Sequence, residues 1–329
     1  MNILYVSNDN YAHLLGISLT SVCENNKNEN ILNFFVIDDG ISDENRQKLE
    51  KTARKYEREI KFFIPEITLS LSKLGKWSIG ILYRIFFQSI IGEVLKDDRI
   101  LYLDCDTVVV DSLGELWQTD LDSCICAAVY ECMGEKHREN ILLETEFPYY
   151  NSGMLLIDVK KWREYDIEKK CQKIIEKNSD TKMEYPDEGL LNNVLQGKIK
   201  AVNPRYNLTT IKCVFTYEQL KVYRKSQYMY SKDEYIEANG NPCIIHYTNN
   251  FLVSRPWFSA KEYEHPFARC FWQYKKESEW NSIYLYEENV GIAKKMMRKF
   301  FATNEKICVI VAGFIYEYIK PIKYDKLIV

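Results

Sequence analysis

Short apolar runs alternate with stretches of helical periodicity over the first two thirds of the chain. Residues 2–7 predict a buried strand, which opens into the polar turn Asn8-Asp-Asn-Tyr11 and a helical pattern to about Cys23. Strands are predicted again over 31–37 and 59–64. Between them lies a charged helix that Ser42 or Asp43 can cap and that ends near Tyr56. This order predicts parallel strands with helices on the faces of the sheet, an α/β fold. A helix is expected over 79–91, with Arg84 among apolar neighbours. A buried strand is expected in 100–110, and further strands over 124–130, 149–158, 199–202 and 243–247. Helices are expected over 160–177, from Pro186 onward and over 263–280. The polar segment 131–147 is long enough to serve as a lid.

At 329 residues and 46% hydrophobic content, the chain can bury a large core. Its 44 basic and 47 acidic residues nearly cancel, which removes the electrostatic footprint of a nucleic-acid binder and points to a small-molecule partner. Ten cysteines occur without a CxxC pair, and Met1 leads straight into a strand pattern rather than a secretory leader. Reduced thiols in a cytoplasm are therefore expected, with Cys124 and Cys126 as core residues rather than zinc ligands.

The chemistry concentrates in Ile100-Leu-Tyr-Leu-Asp-Cys-Asp-Thr-Val-Val-Val110. Two carboxylates, Asp104 and Asp106, interrupt an apolar run at a spacing that places them on one side of a strand, where they can share a divalent cation. The alternative is a strand-to-turn junction whose aspartates merely cap the next segment. Asn8, Asn10 and Tyr11 come directly after the first strand, at the carboxyl edge where α/β sheets hold ligands; amides can pair with a base and a ring can stack on it, although Asn8 or Asn10 can equally cap the helix. Arg84 needs an anionic partner, either structural or from a substrate. Asp187 and Glu188 sit in the first turn of a helix, where carboxylates also suit the helix dipole, and His246 ends a strand.

Taken in order, Asn8-Asp-Asn-Tyr-Ala12, Asp38-Asp-Gly-Ile-Ser42, Arg84, Leu101-Tyr-Leu-Asp-Cys-Asp-Thr107, Tyr150-Asn-Ser-Gly-Met154, Pro186-Asp-Glu-Gly-Leu-Leu-Asn192, Asn203-Pro-Arg-Tyr-Asn207, His246-Tyr and Arg255-Pro-Trp257 resemble glycosyltransferase family 8. These are retaining sugar transferases that include bacterial lipopolysaccharide galactosyl- and glucosyltransferases, and the resemblance covers about residues 1–260. It implies a GT-A type nucleotide-diphosphosugar fold, Rossmann-like with a mixed sheet. It also implies Mn²⁺, or Mg²⁺ in its place, held by Asp104, Asp106 and His246. The donor, UDP-glucose or UDP-galactose, would be bound by Asn8, Asn10, Tyr11, Arg84, Asp104, Cys105, Asp106, Asn151, Asp187 and Arg255, with Asp187 and Glu188 at the reacting carbon and a glycan or glycolipid as acceptor. Three positions depart from the family pattern. Asn8 stands where Asp is often found, and Glu188 where Gln is common. A longer segment separates His246 from Pro256, so Arg255 would take the place of a diphosphate-binding lysine.

Leu103-Asp-Cys-Asp-Thr-Val108 also resembles the aspartyl-phosphate motif of haloacid dehalogenase-type phosphatases, with Asp104 as nucleophile; a non-catalytic nucleotide-sugar binder is a third reading. The expected organisation is a transferase domain over 1–280 and a helical, basic and apolar tail over 281–329. In the tail, Lys294-Lys-Met-Met-Arg-Lys-Phe-Phe301 mixes four cations with four large apolar residues, and the apolar run 307–316 is too short to span a bilayer. Residues 294–319 are expected either to lie on an anionic membrane at the inner face of the cell or to pack on the domain or on a partner subunit.

Overall fold

The computed structural model describes residues 1–67, 69, 78–95, 98–258, 264–282, 288 and 290–329. Its strands are β1 (Asn2–Ser7), β2 (Asn33–Asp38), β3 (Glu59–Phe63), β4 (Arg99–Leu103), β5 (Thr107–Val109), β6 (Cys126–Tyr130), β7 (Tyr150–Asp158), β8 (Ile199–Ala201), β9 (Leu208–Thr209) and β10 (Ile244–His246). Seven form one sheet in the order β3-β2-β1-β4-β7-β6-β8, and β5, β10 and β9 form a second. From β3 to β4 the pairings are parallel, whereas β7 runs antiparallel to both β4 and β6. The α/β architecture is as expected, and the parallel sheet is one half of a mixed one.

Continuous apolar runs in β1 and β4 reflect burial on both faces. Ile3 and Tyr5 enter one core while Leu4 enters the other, and Leu101 and Leu103 part from Ile100 and Tyr102 in the same way. The chain builds outward from β1 to β3, then returns to lay β4 on the opposite side of β1. Such a reversal leaves a crevice beyond the strand ends. Asn8 leaves β1 there, and Asp104 leaves β4.

Two expected helices are interrupted. Residues 79–91 form a 3₁₀ turn at Ile79–Leu82 and a short helix at Phe87–Ile91, with Arg84 between them. The Ile81 carbonyl, which a continuous helix would give to the Ile85 amide, accepts from Arg84 Nε at 3.1 Å, and Ile85 bonds Leu82 instead. The helix expected over 160–177 breaks into Val159–Glu164 and Ile167–Lys177 at Asp166, whose φ of +52° is left-handed. Trp162 and Ile167, five residues apart, would point about 140° apart on one helix; the break lets both reach the core. The closing helix spans Ala268–Glu277, and Tyr263, the expected start, lies outside the described residues.

Helices Ile292–Thr303 and Glu305–Phe314, a π-type turn Ile315–Ile319 and a 3₁₀ turn Pro321–Lys323 end the chain. Val309 and Tyr316 are buried against the body of the protein, and Leu327 joins the core that holds Trp162. Lys294 pairs with Glu288 at 2.5 Å, and Arg298, only 2% exposed, donates to the Phe251 carbonyl. Two of the four cations of 294–301 are thus used internally. The 131–147 segment is not the free loop its polarity implies: it contains a helix, Glu135–Asn140, and Arg138 donates to the carbonyls of Glu144, Thr145 and Phe147. No described helix is long and apolar enough to cross a membrane.

Candidate active site

β4 ends at Leu103 and β5 begins at Thr107, so Asp104 and Asp106 lie in the tight turn between strands rather than on one strand face. The expected convergence has a different cause. Thr107 closes the turn by donating its amide and hydroxyl to the Asp104 carbonyl, at 3.2 and 2.7 Å, and the Asp104 amide bonds Gly153 of β7. Antiparallel pairing of β10 with β5 sets His246 opposite Thr107. His246 Nε2 is then 3.1 Å from Asp106 Oδ1 and 3.5 Å from Asp104 Oδ2. One ligand atom from each of the three residues lies within 4.8 Å of the others. Position 153 must be glycine, because a Cβ there would sit 2.2 Å from His246 Cε1 and 2.9 Å from Asp104 Oδ2.

Two carboxylates and an imidazole suit a divalent cation such as Mn²⁺ or Mg²⁺, and the surroundings point the imidazole at them. Asn207 Oδ1 accepts from His246 Nδ1 at 3.0 Å, leaving Nε2 for the aspartates. Asn207 Nδ2 donates to Asn151 Oδ1 at 2.7 Å, and Asn151 Nδ2 donates to Glu188 Oε2 at 2.9 Å. One chain of amides therefore runs from His246 to Glu188 of the Pro186–Val194 helix.

Arg84 joins the two halves from below. Its guanidinium meets Asp104 Oδ1 at 2.8 Å and Asp187 Oδ2 at 3.3 Å, and it lies over the Tyr102 ring. Ser152 completes the junction, donating its hydroxyl to Asp187 and its amide to Glu188.

Burial pushes the Asp104 carboxyl up, outweighing Arg84 and His246. Asp106 goes the other way: burial opposes its charge, but His246 and Arg255 hold it below the usual carboxylate range. Burial also works against His246⁺, yet Asp106 and Asp104 raise it overall. Glu188 is pushed up to about 8, first by burial and then by the charges of Asp187 and Glu131.

At the carboxyl end of β1, Asn8 Oδ1 is buried without a hydrogen-bond partner among the described residues, and Asn10 and Tyr11 are exposed. Arg255 stretches over the Trp257 ring to 3.9 Å from Asp106 Oδ2. Cys105 turns inward, its thiol donating to the Val6 carbonyl. Hydrogen bonds and ion pairs thus link Arg84, Asp104, Asp106, Asn151, Asp187, Glu188, His246 and Arg255 into one cluster, Tyr11 lies near Arg255, and no such contact ties Asn8 or Asn10 to it among the described residues.

Asn207 closes the motif beginning at Asn203 but carries no mark of its role in the sequence. The same holds for Glu131 and Tyr149. Glu131 is buried beside Lys212, at 3.6 Å, and Tyr149 lies close to Glu188, its hydroxyl pushed up first by burial and then by the Glu188 charge. Nothing in the polarity of 131–147 marks Glu131 as buried.

Residues 2–261 match the sequence profile of Glycosyl transferase family 8. General stress protein A of Bacillus subtilis (strain 168) is 28% identical over 287 residues, covering 86% of this chain and 96% of its own. Lipopolysaccharide 1,2-glucosyltransferase of Escherichia coli (strain K12) is 26% identical over 334 residues, 96% of this chain and 90% of its own. The crystal structure of the galactosyltransferase LgtC with donor and acceptor sugar analogues superposes with a TM-score of 0.68 at 26% identity, over 85% of this chain and 96% of that one. With the profile spanning most of its length and a GT-A neighbour matching its fold, the chain belongs to glycosyl transferase family 8 and is a glycosyltransferase.

Proposed function

We propose that the protein is a retaining, Mn²⁺-dependent transferase that moves glucose or galactose from UDP to a glycan or glycolipid acceptor in bacterial surface polysaccharide or lipopolysaccharide synthesis. The convergence of Asp104, Asp106 and His246 beside the Arg84–Asp187 pair carries this reading. Mn²⁺ is favoured over Mg²⁺ by the imidazole. When bound, the ion would supply a Lewis acid for the charge that builds on departing UDP.

The chain's own residues do the rest. Asn8 offers its unpartnered carbonyl to a uracil N–H, while Asn10 and the Tyr11 ring complete the nucleoside contact. Arg255, next to Asp106, faces the diphosphate; Cys105, with its thiol turned away, can contact the donor through its backbone alone. Arg84, Asn151 and Asp187 hold the sugar by its hydroxyls. Glu188 and Asp187 lie where positive charge develops at an anomeric carbon. The acceptor enters beside 131–147. Asp104 Oδ1 already accepts from Tyr102 and Arg84, which argues against a free aspartyl nucleophile for phosphate.

The E. coli relative is named a glucosyltransferase and LgtC a galactosyltransferase, so both sugars belong in the test. UDP release from each is measured with and without Mn²⁺. Metal-dependent release that disappears in Asp106→Ala supports the reading, and no binding of either nucleotide sugar refutes it.

Attachment to the inner face of the membrane belongs to the same proposal. Ile307, Ile310, Phe314, Tyr318 and Ile322 recur every three or four residues on the outer side of the tail, each 45–81% exposed. Exposed Lys295, Lys299 and Lys306 precede or join them and would meet anionic headgroups. Flotation with anionic liposomes that is equal for the full chain and for one ending at Gly291 would remove this part.

A further inference from the structure

The inner side of the tail makes a different set of contacts. Tyr316 stacks on the His137 ring with centroids 4.2 Å apart, and the Tyr316 carbonyl lies 2.9 Å from His137 Nε2. His137 Nδ1 lies 2.5 Å from Glu184 Oε2, and Lys320 Nζ is 2.5 Å from Glu184 Oε1. The same ammonium donates to the Tyr185 hydroxyl at 2.8 Å. Tyr185 caps the Pro186–Val194 helix, and its carbonyl accepts the Gly189 amide at 2.7 Å, so the turn that holds Asp187 and Glu188 is wound directly onto it. A second route runs through packing, since Tyr316 shares a buried cluster with Tyr149, which lies close to Glu188. Of these residues, Tyr316 and Lys320 lie beyond the 2–261 span of the family profile.

We propose that the C-terminal turn 315–323 is a working part of the transfer site, in which Lys320 is a positioning residue that holds Glu184 and Tyr185 and so places Asp187 and Glu188 against the sugar. A cation on a buried carboxylate fixes that carboxylate in one geometry. Here the fixed pair stands immediately ahead of the two carboxylates that face the anomeric carbon. The cluster of Asp104, Asp106 and His246 is built on other elements, the turn between β4 and β5 and the end of β10. Loosening the turn should therefore weaken the chemical step and spare nucleotide binding. The proposal rests on the reading of the crevice as a transfer site.

The test compares Lys320→Ala and Lys320→Arg with wild type in three measurements: UDP release from UDP-glucose and UDP-galactose, Mn²⁺·UDP affinity by calorimetry, and amide hydrogen exchange. In Lys320→Ala, kcat is expected to fall roughly tenfold or more while UDP affinity stays within about twofold. Exchange at Gly189 and Leu190 should quicken with β1 and β4 unchanged, and Lys320→Arg should recover most of the rate. An unchanged kcat overturns the proposal. So does a fall matched by an equal loss of UDP affinity and faster exchange throughout the sheet, which is general loosening. Lys320→Met removes the ammonium that lies over the Tyr185 and Tyr316 rings but keeps an unbranched side chain, and stands in, with the same criteria, should Lys320→Ala not fold. A wild-type protein that binds neither nucleotide sugar refutes the transfer reading before any variant is made, and the exchange data then decide alone whether Lys320 holds the turn.

Discussion

Asn207 Oδ1 lies 3.0 Å from His246 Nδ1, and this contact selects which ring nitrogen faces Asp104 and Asp106. Asn207 is held in turn, because its own amide donates to Asn151. Replacing such an outer partner of a ligating histidine lowers metal affinity by about 10–100-fold. Asn207→Ala should do so in a Mn²⁺ titration while leaving the fold intact by circular dichroism. Unaltered affinity would mean that the imidazole is oriented by something else.

Gly153→Ala tests the same pocket from its floor. The new Cβ would fall 2.2 Å from His246 Cε1 and 2.9 Å from Asp104 Oδ2, so the groups that must yield belong to the candidate metal cluster itself. Overpacking of this kind costs about 1–3 kcal/mol, so Mn²⁺ affinity should drop roughly 10- to 100-fold. Calorimetric titration gives the number, and a wild-type affinity would show that β7 can move away from β10.

Arg84 is the cation shared by Asp104 and Asp187. Removing one partner of a buried pair strands the others, at about 3–5 kcal/mol. Arg84→Ala should lower the unfolding free energy in urea by that order. Arg84→Lys should restore part of the stability and little of the activity, since an ammonium cannot fork between two carboxylates and the Ser152 carbonyl.

Glu188 gives a pH signature. Its carboxyl, faced by Asp187, Glu131, Tyr149 and more distantly Arg84, is raised to about 8 from an ordinary value of 4.5. Between those values the folded protein holds a proton that the unfolded chain has lost, so stability falls as pH rises through this window, by up to about 1.4 kcal/mol per unit, and levels off above 8. Metal-free Glu188→Gln should lack that slope and be more stable than wild type at pH 8, with the difference shrinking toward pH 4.5, as read by urea unfolding. In the metal-loaded enzyme the rate of UDP release should climb toward pH 8 as Glu188 ionises, with the limb absent in Glu188→Gln. A near wild-type rate in that variant would dispose of an obligatory carboxylate there.

Much of the site was legible along the chain because its residues sit at the ends of strongly patterned elements. Asn8 comes just after β1, Asp104 and Asp106 interrupt the apolar run that ends β4, and Asp187 and Glu188 come just after a proline at a helix start. The interruption at Arg84 was not legible, because the apolar spacing of 79–91 is helical. The break arises from a guanidinium pulled toward Asp104 and Asp187, groups supplied by other segments. Glu131 reads as one more charge in a polar segment, and Lys320 as one more cation in a basic tail. Both are buried or paired through contacts with distant parts of the chain.

The sequence by itself determined the succession of strands and helices, the parallel half of the sheet and the carboxylates that an apolar run would not carry without a purpose. Burial on both sheet faces demands unbroken apolar runs, and that demand is written residue by residue. The tertiary structure alone decided that β10 pairs with β5, bringing His246 to the two aspartates, and that the tail seats Lys320 on Glu184. Strand pairing and buried ion pairs join segments far apart along the chain, and their partners are selected by the packing of the whole rather than by any local pattern.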